Sequence, residues 1–306
     1  MIIAVFPGQG SQTPGFLSPW LEIDGARERL EVFSERAGVD LVAAGTEWDA
    51  DRIRDTAVAQ PLIVAASLLS WAALCDRADG AVAGVAGHSV GEIAALAASG
   101  VLRDDDALSL VGLRGRAMAE AAAAVETGMS AVVGGDEQAV LERLSTLGLT
   151  PANYNGGGQI VAAGELPALS ELASEAPRGT RVIALQVAGA FHTRFMEPAV
   201  STLRAAAAEV EVSDPALPLW TNSDGSVVAD GRRALDLVVA QVASPVRWDR
   251  CMSSFAEQGV TGIIELSPAG ALTGLAKRAL RGTPTVAVKT PDDLDAAVSL
   301  LKEDQA

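Results

Sequence analysis

The pentapeptide Gly87-His88-Ser89-Val90-Gly91 constrains this chain more than any other segment. It fits G-x-S-x-G, a sharp strand-to-helix turn that lifts a serine hydroxyl out of an α/β sheet. Before it, Ala81-Val82-Ala83-Gly84-Val85-Ala86 is small and apolar, as a buried strand should be. After it, Glu92-Ile93-Ala94-Ala95-Leu96-Ala97-Ala98 consists mostly of good helix formers. A serine hydroxyl is a poor nucleophile until a base takes its proton, and histidine is the usual base at neutral pH. The chain has two histidines, His88 and His192. His88 precedes the serine, and neighbouring side chains on a tight elbow point apart. The expected base is therefore His192, brought close by the fold.

The remaining pattern is α/β. Ile2–Phe6 reads as a first strand and runs into a glycine-rich turn, with no preceding basic region that would mark a signal segment. Helices are expected over 25–37, 60–73 and 104–124, and the elbow strand and helix over 81–99. In the middle, strand 129–133, helix 137–147, strand 150–154, strand 159–163, helix 166–173 and strand 181–187 give the order βαββαβ. That is a split-βαβ unit, expected as an inserted subdomain over 125–188. Afterwards strands near 217–221, 261–266 and 285–288 alternate again with helices. Such alternation implies a mostly parallel sheet covered on both faces.

Composition excludes several classes. With 306 residues, 49% of them hydrophobic, the chain can bury a large core. Its apolar runs are interrupted before they reach membrane-spanning length, so no membrane partner is expected. The formal net charge of −16 argues against nucleic-acid binding, which needs a basic face. It also means that an acidic partner would need a local basic patch. Cys75 and Cys251 have no metal-like or redox-like spacing, and a cytoplasmic protein with reduced thiols is expected. Two histidines and no cysteine cluster give no expectation of a metal site.

Three further features bear on chemistry. Gln9, in Pro7-Gly8-Gln9-Gly10-Ser11-Gln12, sits in a turn that lacks the phosphate-binding glycine patterns. Such a loop can instead offer a backbone N–H to an oxyanion, with the N–H of Val90 as second donor. Arg114 and Arg116 lie beside Gly115 in a helix of small residues, where an arginine could reach a cleft and hold a carboxylate. No acidic residue after Ser89 has an obvious claim to orient His192, and a backbone or side-chain carbonyl would serve.

These residues resemble the malonyl-CoA:acyl-carrier-protein transacylases of bacterial type II fatty-acid and polyketide synthesis. The anchors are Phe6 to Gln12, Thr56 with Gln60-Pro61, Gly87 to Glu92, Arg114 to Met118, Ala190-Phe191-His192, Ser244 to Trp248 and Leu272 to Leu275. The resemblance implies an α/β-hydrolase-like large domain, residues 1–124 and 189–306, with a parallel sheet and an inserted ferredoxin-like subdomain, 125–188. It implies Ser89 as nucleophile, His192 as base and the backbone carbonyl of Gln241 as the group that orients the histidine. Gln9 and Val90 would form the oxyanion hole. Arg114 would hold the malonyl carboxylate, with Phe191, Asn155, Asn222 and His88 as further substrate contacts. Phe191 would crowd an α-methyl branch, as in malonyl-selective members.

The implied reaction is ping-pong transfer from malonyl-CoA to the phosphopantetheine thiol of an acyl carrier protein, with no cofactor and a monomeric enzyme. Lys277, Arg278, Arg281 and Arg194 are candidates for docking the acidic carrier. The competing reading is a serine esterase or thioesterase with water as acceptor. The chain also departs from the family pattern. Gly156-Gly157 replaces the usual Ser-Pro, which should loosen that loop. Gly189, Ser244 and Ala269 replace histidine, asparagine and glycine.

Overall fold

Two separate sheets organise the chain in the computed structural model, which describes residues 1–78 and 82–304. The strands, in chain order, are β1 (Ile2–Phe6), β2 (Gly84–Gly87), β3 (Thr127–Gly134), β4 (Thr150–Gly156), β5 (Gln159–Glu165), β6 (Thr180–Ala184), β7 (Leu219–Trp220), β8 (Val227–Val228), β9 (Gly262–Glu265) and β10 (Thr285–Ala287). The larger sheet has the order β10-β9-β1-β2-β7-β8. All its pairs are parallel except the β7–β8 edge. Strand β1 is buried at every position, as expected for the middle of a sheet covered on both faces. The smaller sheet, β4-β5-β3-β6, is wholly antiparallel. Its strands and the helices Glu137–Thr146 and Leu166–Ser174 follow the expected βαββαβ order. The smaller sheet is tied to the rest of the fold where Asn153 of β4 pairs with Val246, a residue outside any strand of the larger sheet.

Helix Thr56–Arg77 runs through the core. It is long and apolar enough to cross a membrane by length and composition alone, but 72% of its most apolar stretch is buried inside the protein. Apolar residues surround it because other elements cover it on most sides. Helix Asp104–Ala124 packs across it. Three aspartates open that helix, where its dipole favours negative charge. The close crossing depends on glycine, since a Cβ on Gly115 would come within 2.9 Å of the Thr56 oxygen; on another side, one on Gly112 would come within 2.3 Å of the Ala37 carbonyl oxygen in the helix Ala26–Ala37. Gly115 thus brings Arg114 down onto the helix that carries Gln60.

Several expectations need adjustment. The expected start of the elbow strand at Ala81 lies outside the described residues, and β2 begins at Gly84. The turn expected over 155–158 is narrower, because β4 continues through Asn155 and Gly156. Gly156, Gly157 and Gly158 have φ of 70°, 57° and 75°. A Ser-Pro pair could not follow this left-handed route, since proline is fixed near −65°. The last strand of the smaller sheet stops at Ala184, so Leu185 and Val187 are free to face a cleft. Helices Leu41–Thr46, Ala50–Arg54 and Leu294–Glu303 lie outside the expected elements; the last of them buries Leu294, Ala297 and Leu301 along one face.

Candidate active site

The elbow forms as its glycines require. A Cβ on Gly87 would lie 2.1 Å from Gly91, and one on Gly91 would lie 2.2 Å from the Phe6 oxygen. Only glycine permits this contact between β2, the helix Gly91–Ala98 and the end of β1. Ser89 is held at φ 52°, a left-handed conformation that costs about 1–3 kcal/mol outside glycine. Its N–H donates to Asn222 Oδ1 at 2.8 Å, and Asn222 Nδ2 donates to the Gly87 carbonyl at 2.7 Å. One buried amide therefore fastens the strained turn from beneath.

His192 reaches this serine across 103 residues of sequence. Ser89 Oγ lies 2.7 Å from His192 Nε2, and His192 Nδ1 lies 2.7 Å from the Gln241 carbonyl oxygen. A carbonyl only accepts, so Nδ1 carries the proton and Nε2 is free to take one from Ser89. The Ser244 N–H also donates to the Gln241 carbonyl, at 3.1 Å. His192 itself has φ 61°. Its loop is pinned to the smaller sheet, because Ala190 N–H donates to Thr127 Oγ1 at 2.9 Å. Burial, and then the nearby Arg114 charge, hold His192 down at about 3, so the imidazole is neutral.

A cavity of about 430 Å³ opens in front of this pair. Gln9, His88, Val90, Asn155 and Phe191 line it, together with Gln60 and the apolar side chains of Met129, Leu185 and Val187. Among the described residues, neither the Gln9 nor the Val90 N–H has a protein acceptor. Ser89 N–H, by contrast, is taken by Asn222. His88 Nε2 and Asn155 Oδ1 are 2.9 Å apart, and Asn155 donates to Gln159 Oε1 at 3.0 Å, a chain that joins the elbow to the smaller sheet. Burial lowers the pKa of His88, consistent with a neutral ring. The far wall is the helix Ala271–Ala279, whose first N–H groups (Leu272 and Thr273) donate to the buried Glu265 carboxylate.

Two expectations are refined here. Of the paired arginines, only Arg114 is tied to the site: it does not line the cavity itself but sits behind Gln60, which does, and beside Gln241. It is 1% exposed, donating from Nη1 to Gln60 Oε1 at 2.7 Å and from Nη2 to Gln241 Oε1 at 3.3 Å, while its buried Nε has no acceptor. Arg116, two residues on, points away and donates to the Ala37 carbonyl at the end of another helix. Asn222, expected among the substrate contacts, is fully buried and sits behind the serine. Both ends of its side chain are used to hold the elbow, so it is not a cavity residue.

Sequence reasoning gave no role to Glu92 or Gln60. Glu92 is 3% exposed; it accepts the Asn222 N–H at 2.7 Å and a short hydrogen bond from Gln241 Nε2. Burial pushes its carboxyl up to about 8, against the pull of these donors and of Arg114. A single acid inside an otherwise apolar helix was the available signal.

Residues 3–303 match the acyl transferase domain family. The malonyl CoA-acyl carrier protein transacylase of Mycobacterium tuberculosis is 53% identical over 304 residues, covering 98% of this chain and 100% of the relative. The crystal structure of MCAT from the same organism superposes with a TM-score of 0.94, covering 97% of this chain and 100% of that one, at 53% identity. A type II PKS acyl-carrier protein in complex with its malonyl-transacylase gives a TM-score of 0.92 at 30% identity, with 98% and 99% covered. The chain belongs to the acyl transferase domain family.

Proposed function

We propose that this protein transfers a malonyl group from malonyl-CoA to the phosphopantetheine thiol of an acyl carrier protein. The observation that carries the reading is the Ser89–His192–Gln241 carbonyl chain with the buried Arg114 beside it. His192 Nε2 takes the Ser89 proton as Oγ attacks the thioester carbonyl. The N–H groups of Gln9 and Val90 receive the oxyanion. Removing one such donor typically costs ~10²–10³ in rate. The carbon–sulfur bond breaks, His192 returns the proton to the CoA sulfur, and malonyl-Ser89 remains. The carrier thiol then gives its proton to His192 and attacks the ester. Ser89 Oγ leaves and takes that proton back. Each step uses only these groups, so the reading calls for no cofactor.

Arg114 would pair with the malonyl carboxylate through its unsatisfied Nε or by exchanging an amide partner. Phe191, His88 and Asn155 would border the acyl group and its pantetheine arm. Arg278 lines the cavity, and Lys277 and Arg281 are exposed near it; in a chain of net charge −16 they are suitable for docking an acidic carrier, with Arg194 as a fourth candidate. We read the larger sheet as an α/β-hydrolase-like domain (1–124 and 189–306) and the βαββαβ sheet as a ferredoxin-like insert (125–188), in a cytoplasmic monomer.

Intact-protein mass after brief mixing with malonyl-CoA tests the proposal. A malonyl adduct that is absent in Ser89→Ala and moves to a phosphopantetheinylated carrier is expected. Free malonate without a lasting adduct would mean a hydrolase.

A further inference from the structure

The nucleophile and the base are held by two different residues, and those two residues meet on one acid. Asn222 holds Ser89 and the Gly87 carbonyl. Gln241 supplies the carbonyl that orients His192. The backbone N–H of Asn222 and the side-chain Nε2 of Gln241 both donate to Glu92, one to each carboxylate oxygen. Gln241 Nε2 also donates to Asn222 Oδ1 at 3.0 Å, which closes a ring of three residues. Glu92 does not line the cavity.

We infer that Glu92 is a positioning residue for this reaction, fixing the Ser89–His192 distance through Asn222 and Gln241 together. This rests on the proposed roles of Ser89 and His192. The contacts also set the orientation of the Gln241 amide. Its Oε1 accepts from Arg114 Nη2, so its Nε2 must face Glu92 and Asn222. Both oxygens face donors, so the contacts call for the ionised carboxylate, which these donors and Arg114 favour against the upward push of burial. A glutamine at 92 would place one NH₂ group against a donor. Flipping Gln241 to relieve this would turn its own NH₂ toward the Arg114 guanidinium and leave Asn222 Oδ1 without that donor. An aspartate keeps the charge but is one methylene too short to reach both donors.

The test compares Glu92→Gln and Glu92→Asp with the unaltered protein by two rates. One is Ser89 malonylation by malonyl-CoA in a single turnover. The other is Ser89 phosphonylation by an alkyl fluorophosphonate, which forms the O–P bond, expels fluoride and needs no carboxylate pocket. We expect both rates to fall together by about tenfold or more, a part of the ~10²–10⁴ that a positioned base supplies, with the KM for malonyl-CoA unchanged. Malonylation falling while phosphonylation holds would overturn the inference and place Glu92 on the carboxylate side through Arg114. Both rates holding while the melting temperature falls would reduce Glu92 to scaffold. If Glu92→Gln does not fold, Glu92→Asp is judged by the same criteria. Failure of the unaltered protein to be phosphonylated at Ser89 would instead overturn the nucleophile assignment.

Discussion

Asn222→Ala separates a support for the elbow from a substrate contact. In the native structure the Asn222 side chain accepts from Ser89 N–H and donates to the Gly87 carbonyl, with no exposure to solvent. Alanine leaves both groups buried without that partner. Two orphaned groups at about 1–3 kcal/mol each give about 2–6 kcal/mol of destabilisation. At ~2.1 cal/mol/K per residue, a midpoint of ~4 kcal/mol across this chain lowers the melting temperature by about 6 °C. The loss also releases a strained Ser89, so the hydroxyl leaves the His192 ring and malonylation slows. Asn222→Asp is a near-isosteric control. One of its oxygens can still accept from Ser89, but the other faces the Gly87 carbonyl as acceptor against acceptor, and a second buried negative charge joins Glu92. Thermal melts and single-turnover malonylation followed by intact mass are the assays. Both variants should melt lower and load slowly while the KM for malonyl-CoA stays put. Normal melting with a raised KM alone would refute the argument and return Asn222 to the substrate.

Other perturbations address the cavity. Arg114→Ala should shift preference from malonyl-CoA toward acetyl-CoA in competition assays; unchanged selectivity would remove the carboxylate clamp. Phe191→Ser should improve the use of methylmalonyl-CoA, by no more than the ~10–200-fold that one methyl group is worth, and no gain would remove the steric argument. The low pKa of His192, about 3, places its protonation well below the ordinary 6.5, so the free base persists as pH falls from neutral. Single-turnover malonylation should therefore show no inflection near pH 6.5, and a clear one there would mean that the ring is more solvated than its burial implies.

Most of the fold was legible because the signals were local and strong. The Asp104–Ala124 helix has charged residues at its start and an apolar side throughout, and β1 is a bare apolar run ended by Pro7-Gly8. The βαββαβ order could be read because each short strand is bounded by glycine, proline or a charged helix. What failed was governed by longer-range contacts. Val246 pairs with Asn153 of β4 from ninety-three residues away, a contact that no local pattern discloses. The roles of Asn222 and Glu92 were hidden for the same reason. Asparagine in a polar turn and glutamate in a first helical turn are both ordinary on a surface, and only the tertiary fold buries them against each other. Ser89 and His192 could be found because scarcity did the work: two histidines leave little choice.

The carbonyl in place of a third catalytic acid is consistent with the charge around it. Arg114 is a buried guanidinium whose nearest acceptors are the neutral amides of Gln60 and Gln241, with Glu92 one amide further away. A buried cation without a direct anion is costly, and it attracts any carboxylate that can reach it. An aspartate set behind His192 would be such a carboxylate. It would share the positive charge that, in the proposed reaction, is left for the substrate. A backbone carbonyl fixes the imidazole tautomer without that competition, because it accepts a proton-bearing nitrogen yet carries no net charge. The consequence appears in His192, which burial first and Arg114 second hold below its ordinary pKa in the free protein. A malonyl carboxylate arriving at Arg114 would offset the Arg114 share of that lowering, making the base stronger when the substrate it must serve is present. The orienting carbonyl, the under-satisfied arginine and the depressed histidine are thus three aspects of one electrostatic arrangement suited to an acyl group that brings its own negative charge.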